Sequence, residues 1–293
     1  MAPKALAPGD KRYYPAIVNP EEQRKTEMSH HESSLKAQFY LTAPQPCAYL
    51  AGREERKVFT TLQGDGAVKT NNALSLKGFR RSQSVIYRPA CVGCSACMSI
   101  RIPVAQFKIS RTQRRLLRRN ANLVRRPCEA WATETQFDLF RRYLDSRHSS
   151  GGMADMDAFD FASMVDETPI NSTVVEYALE DHETGTQRLI AACLSDILGD
   201  GLSMVYSFFD PTEADRSLGA HMILDHIRMA GEMGLPHVYL GYWVPGSPKM
   251  DYKVDYRPFE LCDGTNWHRF TGREEYETWR SRNQPAAADP LSE

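Results

Sequence analysis

Three cysteines stand at a spacing that suits metal binding. Cys91, Cys94 and Cys97 form a Cys-x-x-Cys-x-x-Cys motif. Two intervening residues let neighbouring thiolates turn toward one centre, as in tetrahedral zinc sites and iron–sulfur clusters. The motif therefore predicts a zinc or iron–sulfur site, and the alternative is a group of free thiols that are buried or sensitive to oxidation.

The fourth ligand of such a site stays open. Cys47, which follows a proline, is one choice, and His30 or His31 is the other. Seven cysteines in all is an odd number, which favours reduced thiols or a metal over a disulfide framework. Three isolated cysteines are expected to be small buried side chains: Cys128, Cys193 and Cys262.

A basic segment follows the cysteines closely. Residues 66–128 contain fourteen Lys and Arg and no Asp or Glu, although the net charge of the chain is −1. Five of these arginines fall within an arc of roughly 140° on a helix of 3.6 residues per turn: Arg111, Arg114, Arg115, Arg118 and Arg119. Five apolar residues fall on the opposite side: Ile109, Leu116, Leu117, Leu123 and Val124.

This arginine face predicts contact with nucleic acid. No acidic residue is interleaved to form i,i+4 pairs, and like charges at that spacing repel one another. The alternative is an ordinary solvated face. Because the face has no aromatic residues to read bases, it favours phosphate contact with a folded RNA over reading of a DNA sequence.

The composition is that of an ordinary globular protein. The chain has 293 residues and 42% hydrophobic residues, enough for one large or two medium domains. No apolar run reaches eighteen residues, and the N-terminus has no apolar core of the signal-peptide type. These features predict a cytoplasmic protein without membrane attachment.

The second half of the chain predicts an ordered series of elements. Residues 173–180, 188–198 and 202–209 read as three antiparallel strands, the last two joined by Gly199, Asp200 and Gly201. A helix over 218–233 ends at Gly234, and a strand follows over 237–243. Three antiparallel strands leading into a parallel crossover is the order of GNAT acyltransferases, an analogy of topology alone.

The first half predicts short strands around the cysteines, over 57–62, 84–87 and 98–104, followed by the arginine helix and a helix over 135–147. The two glycines in the segment from His148 to Met153 mark a hinge. We therefore expect an α+β protein with a flexible segment 1–35, an N-terminal cysteine-cluster and basic domain 36–147, a GNAT-like domain with a mixed sheet 148–272, and a tail 273–293 with a disordered end.

Several long stretches resemble one enzyme family. They are GFRRSQSVIYRPACVGCSACMSIRIPVAQFKISRTQRRLLRRN at 78–120, CAYLAGREERKVFTTL at 47–62, HSSGGMADM at 148–156, YSFFDPTEADRSLGAHMILDHI from residue 206 and YLGYWVPGSPKMDYKVDYRPFE up to residue 260. Together they are similar to the arginyl- and leucyl-tRNA–protein transferases of the N-degron pathway, from about residue 39 to residue 267.

The Cys-x-x-Cys-x-x-Cys form resembles the bacterial branch of this family. That resemblance implies transfer of leucine from leucyl-tRNA to N-terminal Asp or Glu of a protein, which creates a degradation signal under the N-end rule. It also implies a GNAT-like catalytic half and, in eukaryotic relatives, a metal or iron–sulfur cluster on cysteines. The metal ligands would here be Cys47, Cys91, Cys94 and Cys97, with no cofactor required for the chemistry itself.

The reaction needs little base catalysis. An α-amino group with a pKa near ~7.7 is already partly neutral at cytosolic pH. Positioning of two substrates, stabilisation of an oxyanion and neutralisation of the acceptor's carboxylate should dominate. Cations suit that carboxylate, and the choices are Arg53, Arg80, Arg81 and Lys249.

Aromatic and basic residues cluster after the crossover strand, where ligands of open α/β sheets gather. They are Tyr239, Tyr242, Trp243, Lys249, Tyr252 and Lys253. We expect catalytic roles for Tyr242, Lys249, Asp251 and Tyr252, with Asp251 or a tyrosine relaying the amine proton. Trp243 and Lys253 are expected to bind substrate, by stacking on the terminal adenosine or lining a leucine pocket, and the alternative is a packed core edge.

Three rival functions remain. An arginyl-tRNA–protein transferase of the same family differs only in its donor. An acetyltransferase would need a small-residue cradle at the helix start, where Arg216 to His221 places a histidine in the last position. A non-enzymatic, zinc-dependent RNA-binding adaptor would use the cysteines and arginines but leave residues 206–260 without a task.

Overall fold

The structure is a computed structural model that describes residues 37–147, 155–180 and 185–283. The described residues form one compact unit that begins at Ala37. Within these ranges no helix combines the length and the apolarity that a membrane crossing requires.

An eight-stranded mixed sheet dominates the fold. Its strands, in spatial order, are β14 (Trp267–Phe270), β13 (Phe259–Cys262), β7 (Met98–Pro103), β12 (His237–Trp243), β11 (Gly201–Phe209), β10 (Gln187–Leu198), β9 (Ser172–Glu180) and β8 (Leu123–Glu129). The pair β11–β12 is parallel and the other neighbours are antiparallel. Strand β7, from the first half of the chain, therefore lies inside the sheet built by the second half.

A second sheet packs beside the first. Its four strands, in spatial order, are β1 (Tyr40–Leu41), β4 (Lys57–Thr61), β6 (Val85–Pro89) and β5 (Arg80–Ser82). A two-stranded ladder joins β2 (Gln45–Pro46) to β3 (Glu54–Glu55). The buried guanidinium of Arg81 on β5 bonds Asp196 on β10 at 2.6 and 2.7 Å, which ties the two larger sheets together.

Six helices surround the sheets in the described ranges: α1 (Ala67–Ser75), α2 (Arg111–Arg119), α3 (Glu134–Arg147), α4 (Ala158–Asp166), α5 (Leu218–Glu232) and α6 (Arg273–Asn283). Short 3₁₀ turns span Val104–Gln106, Pro211–Arg216 and Asp251–Asp255. Ser110 and Gln113 form a capping box that begins α2.

The large sheet buries both of its faces. One core joins Ile100, Val175 and Leu202 to the apolar side of α5. The opposite face packs against α3 and α4, with Phe140 and Phe161 in contact with Phe208. Because both faces are covered, the active surface must lie at a strand end or where neighbouring strands separate.

The predicted order of elements in the second half is confirmed. The three strands, the helix after them and the strand 237–243 occur within a residue or two of their predicted bounds, and β11 and β12 are parallel as expected. The helix predicted over 135–147 begins one residue earlier. These predictions depended on apolar residues that alternate along strands or recur with the period of a helix. In the structure those apolar faces are buried.

Other expectations need correction. The arginine helix ends at Arg119, where Asn120 leaves the helical conformation, so Leu123 and Val124 lie on β8 and not on the helix. The large sheet crosses the expected boundary at residue 147, because β7 and β8 pair with strands of the second half. The first part of the expected tail is helix α6, whose Tyr276 is buried. The expected hinge 148–153, the segment 1–35 and residues 284–293 lie outside the described residues.

Candidate functional site

Strands β11 and β12 separate partway along their length. They pair only from Gly201–His237 to Ser203–Tyr239, and both strands continue beyond this point. We call the opening between them the β11–β12 wedge. Strand separation of this kind exposes backbone groups in the interior of a sheet, where a substrate can reach them.

An irregularity in each strand produces the wedge. In β11 the register against β10 shifts between Ser195–Met204 and Leu194–Tyr206, so Val205 is an extra residue. In β12 the register against β7 shifts between Tyr239 and Tyr242, and Gly241 has a φ of +76°. Glycine adopts this left-handed conformation without the steric cost of a Cβ.

Arg80 occupies the wedge from the side of the small sheet. Its Nη2 donates to the carbonyl of Val205 and lies 3.5 Å from the carbonyl of Met204. A Cβ on Gly241 would lie 1.8 Å from its Nη1. The guanidinium therefore bridges the two separated strands, and no carboxylate of the described residues pairs with it.

Lys253 is a second buried cation beside the wedge. Its side chain is 5% exposed and donates from Nζ to the carbonyl of Tyr242 at 2.7 Å. Burial, and then the charge of Arg80, lower the pKa of this amine to about 7. Within the described part of the chain it has no acidic partner, so an incoming anion would meet two positive groups.

Tyrosines surround the two cations. The hydroxyl of Tyr242 lies 3.1 and 2.9 Å from the carbonyls of Gly78 and Tyr87, which fixes its orientation. Burial, and next the Tyr87 hydroxyl, raise the pKa of Tyr242, so it stays a neutral donor. Tyr252 is 47% exposed at the mouth, and its pKa is raised mainly by burial, with Arg80 acting in the opposite direction.

Four further tyrosines of this region were not singled out from the sequence: Tyr49, Tyr87, Tyr143 and Tyr206. Burial raises the pKa of Tyr49, and the opposing effect of Arg80 shows that it lies near that guanidinium. These residues come from separate elements and have no shared spacing. Tyr49, Tyr87 and Tyr206 lie inside stretches that resemble the family, which is the signal that the sequence offered for them, and Tyr143 lies outside those stretches.

Three other residues of the predicted cluster have different surroundings. Trp243 is 1% exposed and packs edge-on against Tyr276 at 4.7 Å, so it belongs to the core, as the alternative interpretation expected. Lys249 is exposed on the loop after β12. Asp251 pairs with Arg273 of α6 at 3.1 Å.

The other residues predicted to bind the acceptor's carboxylate also lie in different surroundings. Arg81 is bound by Asp196 and is 3% exposed, which makes it a structural residue and removes it from the substrate-binding set. Arg53 lines a separate cavity of about 330 Å³ together with Arg56 and Val92. Of the four basic residues proposed for the carboxylate on chemical grounds, Arg80 is the one for which the described residues show contacts in the wedge.

The cysteine cluster is gathered but does not form a metal centre. The thiol of Cys97 has its pKa raised to about 12, first by burial and next by Cys47, Cys91 and Cys94, which shows that all four lie in one region. Four thiols are the right donors for zinc or an iron–sulfur cluster. However, no group of three or more His, Cys, Asp or Glu in the described ranges is placed to hold a metal ion. The residues as arranged do not fit the predicted site, and His30 and His31 lie outside the described residues.

Helix α2 presents the predicted arginine face. Arg111, Arg114, Arg115, Arg118 and Arg119 are all exposed. Leu116 and Leu117 of the same helix pack against the main core. Arg119 donates to the backbone carbonyl of Asp215, and none of the five pairs with a carboxylate of the described residues. Their charges are therefore available to a polyanion.

Helix α2 also contacts the turn beside the wedge. Gln113 of α2 donates from Nε2 to the carbonyl of Asp255 at 3.4 Å. Asp255 ends the 3₁₀ turn that carries Tyr252 and Lys253. Gln113 lies about 190° around the helix from the centre of the arginine face, so α2 itself stands between that face and the turn that forms one wall of the wedge.

The sequence matches one family of known proteins over most of its length. The family described as arginine-tRNA-protein transferase matches with its N-terminal part over residues 45–115 and its C-terminal part over residues 135–263. An aspartate/glutamate leucyltransferase of Ruegeria pomeroyi is 58% identical and aligns over 90% of this chain and 94% of its own length. Relatives of the same description from Cereibacter sphaeroides (90% of this chain, 93% of their own) and Paracoccus denitrificans (87% and 92%) are 56% and 54% identical.

Among solved structures, FemX aligns over 72% of this chain and 68% of its own, with 10% identity and a TM-score of 0.44.

Proposed function

Because the chain belongs to the aminoacyl-tRNA–protein transferase family, in its aspartate/glutamate leucyltransferase branch, we propose that it transfers leucine from leucyl-tRNA to the N-terminal amine of proteins that begin with Asp or Glu. It is an aminoacyltransferase of the N-end rule, and its product is a degradation signal. The observation that carries the assignment of its site is the pair of basic side chains, Arg80 and Lys253, which meet at an opening in the sheet without an acidic partner among the described residues.

We assign the donor side to helix α2. Its unpaired arginines contact phosphates of the tRNA, and their spacing follows the backbone without reading base sequence. The contact of Gln113 with Asp255 supports a position of α2 next to the 3₁₀ turn at the wedge. An aminoacylated 3′ end can then enter the wedge while the acceptor stem stays on α2.

We assign the acceptor side to Arg80 and Lys253. The side-chain carboxylate of an N-terminal Asp or Glu contacts both groups, and its charge stabilises the guanidinium of Arg80 and the protonated form of Lys253, whose pKa is otherwise about 7. An N-terminal residue without a negative charge leaves Arg80 without a counter-charge and favours the neutral amine of Lys253. Selectivity for acidic N-termini follows from this electrostatic difference.

The transfer step is balanced in atoms and in charge. The neutral α-amine attacks the ester carbonyl carbon, a C–N bond forms, and the C–O bond to the tRNA ribose breaks. The amine loses one proton, and the ribose oxygen takes up one proton as it leaves. We place the hydroxyl of Tyr252, a half-exposed residue, at the reacting ester. Tyr242, whose hydroxyl donates to the carbonyls of Gly78 and Tyr87, is assigned to positioning the wall of the wedge.

The fold of the catalytic part is proposed to be GNAT-like. Three antiparallel strands, an extra residue in β11 and a parallel crossover to β12 support this. A CoA donor is disfavoured because His221, at the last position of the expected phosphate cradle, is buried against Tyr177 at 5.5 Å. Arg216, at its first position, pairs with Glu213 at 2.8 Å.

A transfer assay tests the proposal. The protein is incubated with leucyl-tRNA and peptides that differ only in a first residue of Asp, Glu, Asn or Gln, and the mass gain of one leucyl residue is measured. We expect transfer to the Asp and Glu peptides. Equal transfer to the Asn and Gln peptides would remove the role of the two cations, and no transfer to any peptide would leave the adaptor alternative.

The same assay decides between donors. Arginyl-tRNA in excess over leucyl-tRNA should slow the reaction by competing for the tRNA surface, and leucylated peptide should remain the main product. Arginylated peptide as the main product would instead assign the chain to the arginyl-transferring alternative.

A further inference from the structure

A second cavity lies beneath the arginine helix, on the side of the sheet covered by α5. It has a volume of about 220 Å³. Its walls include Leu117 of α2, Ala121 just after α2, Tyr177 of β9, and His221 and Asp225 of α5. This volume is below the roughly 300–1,000 Å³ of pockets for drug-sized ligands, so the cavity suits a single ring system.

One buried polar group in this wall lacks a partner. His221 is 6% exposed, and its Nδ1 makes no hydrogen bond with any described residue. Burial lowers the pKa of this imidazole below its ordinary value, so it is neutral near pH 7. Because an unpaired buried nitrogen is costly, it indicates that a ligand atom completes its hydrogen bond.

The charges of the wall define which ligand fits. Asp225 is 1% exposed and accepts from the Tyr177 hydroxyl at 2.9 Å and from Arg228 at 2.5 Å. Arg125 and Arg228 also line the cavity, and Asp225 and Glu232 pair with both of them, so the wall carries no surplus positive charge for a phosphate. A neutral ring with both donors and acceptors suits a wall of charges that are paired with one another, a hydroxyl and a neutral imidazole.

The position beside α2 identifies the source of that ring. Leu117 is in the wall, and the next residue, Arg118, is one of the exposed arginines that have no carboxylate partner in the described ranges. A nucleotide with its phosphate on these arginines can direct its base inward. Unpaired RNA bases are commonly turned out and held by stacking and hydrogen bonds in this way.

We propose that this cavity receives one unpaired nucleobase of the tRNA, a contact that rests on the proposed function. It adds a base contact to a surface whose other contacts are to phosphate. Base contacts of this type are nearly independent of salt, whereas phosphate contacts release counterions.

Filling the cavity tests the proposal. Ala121→Trp places a large ring at the mouth, at an exposed position where folding is preserved. Affinity for leucyl-tRNA is measured at several salt concentrations without acceptor peptide. We expect the dissociation constant to rise about 5- to 150-fold, the range for loss of one base-stacking contact, with an unchanged salt slope. Ala73→Trp on the exposed side of α1 is the matched control and should bind as the unaltered protein does.

His221→Phe provides a second variant, because it keeps a ring against Tyr177 and removes both imidazole nitrogens. It should weaken binding in the same salt-independent way. Unchanged affinity in both variants, or weaker binding with a reduced salt slope, overturns the proposal. If the unaltered protein neither binds leucyl-tRNA nor transfers leucine, the proposed function is wrong. If the unaltered protein does both and the two variants bind normally, only the assignment of the cavity is wrong.

Discussion

Arg80 lies so close to Gly241 that the backbone there has room for no side chain: a Cβ would come within 1.8 Å of Nη1 and 2.6 Å of Cζ. The two residues belong to different sheets. Their contact holds β11 and β12 apart and places a positive charge between them.

Gly241→Ala should abolish most of the activity. The new methyl group displaces the guanidinium, and misplacement of a site group by about 1 Å can cost about 100-fold in rate. The measurement is kcat/KM for a Glu-starting peptide. Gly246→Ala is the matched control, since Gly246 also has a positive φ, +82°, but nothing lies within 4 Å of its Cβ position. It should lose only about 1–2 kcal/mol of stability, and comparable inactivity of both variants would contradict the role of Arg80.

Arg80→Gln should reduce transfer to acidic acceptors selectively. Removing a hydrogen bond to a charged group costs about 1.5–3 kcal/mol, or roughly 10- to 150-fold in kcat/KM. The affinity for leucyl-tRNA should stay unchanged, because the tRNA surface is on α2. Peptide kinetics and tRNA binding are measured on the same preparation, and an equal loss in both would assign Arg80 to the donor side.

The buried pair Arg81–Asp196 should be a major source of stability. Its side chains are 2% and 1% exposed, so Arg81→Ala leaves a buried carboxylate without its partner. The expected loss is about 3–5 kcal/mol in the free energy of unfolding, measured with urea. Lys57→Ala removes a more exposed pair with Glu55 and should cost at most about 1 kcal/mol. Similar losses would show that Arg81 does not tie the sheets together.

Lys253 should make stability depend on pH above neutrality. Its pKa in the folded protein, about 7, lies below the ordinary value of 10.5, so between these limits only the unfolded chain binds the proton. Stability then rises with pH, by at most about 1.4 kcal/mol per unit, and has no such slope below pH 7. Urea unfolding from pH 7 to 9 should show this rise relative to Lys253→Met. Parallel curves for the two proteins would mean that Lys253 is charged in the folded state.

Replacing Arg114, Arg115 and Arg118 with Ala should weaken binding of leucyl-tRNA and flatten its salt dependence. Each lost phosphate contact reduces the slope of log K against log salt by about 1. Replacement of the same three residues with Lys keeps the charge and should retain the slope. An Ala variant that binds normally at two salt concentrations would show that α2 faces away from the tRNA.

Local patterns in the sequence predicted most of the second half of the fold. Alternating apolar residues and the Gly199–Gly201 turn predicted the meander, and helical periodicity predicted α5, because burial of an apolar face depends on neighbouring residues. Charge segregation predicted the exposed arginines of α2, since five cations without interleaved acids have no local partner. The family relationship came from long stretches in a fixed order.

The candidate site depended on contacts between distant residues, which periodicity does not record. Arg80 and Arg81 are adjacent in a strand, and successive side chains of a strand point to opposite faces. Arg81 therefore meets Asp196 in the interior, while Arg80 enters the wedge. The same alternation separates Tyr242, beside Arg80, from Trp243, which packs against Tyr276. Residue type marked these four positions as candidates, and the packing of two sheets decided which of them meet a substrate.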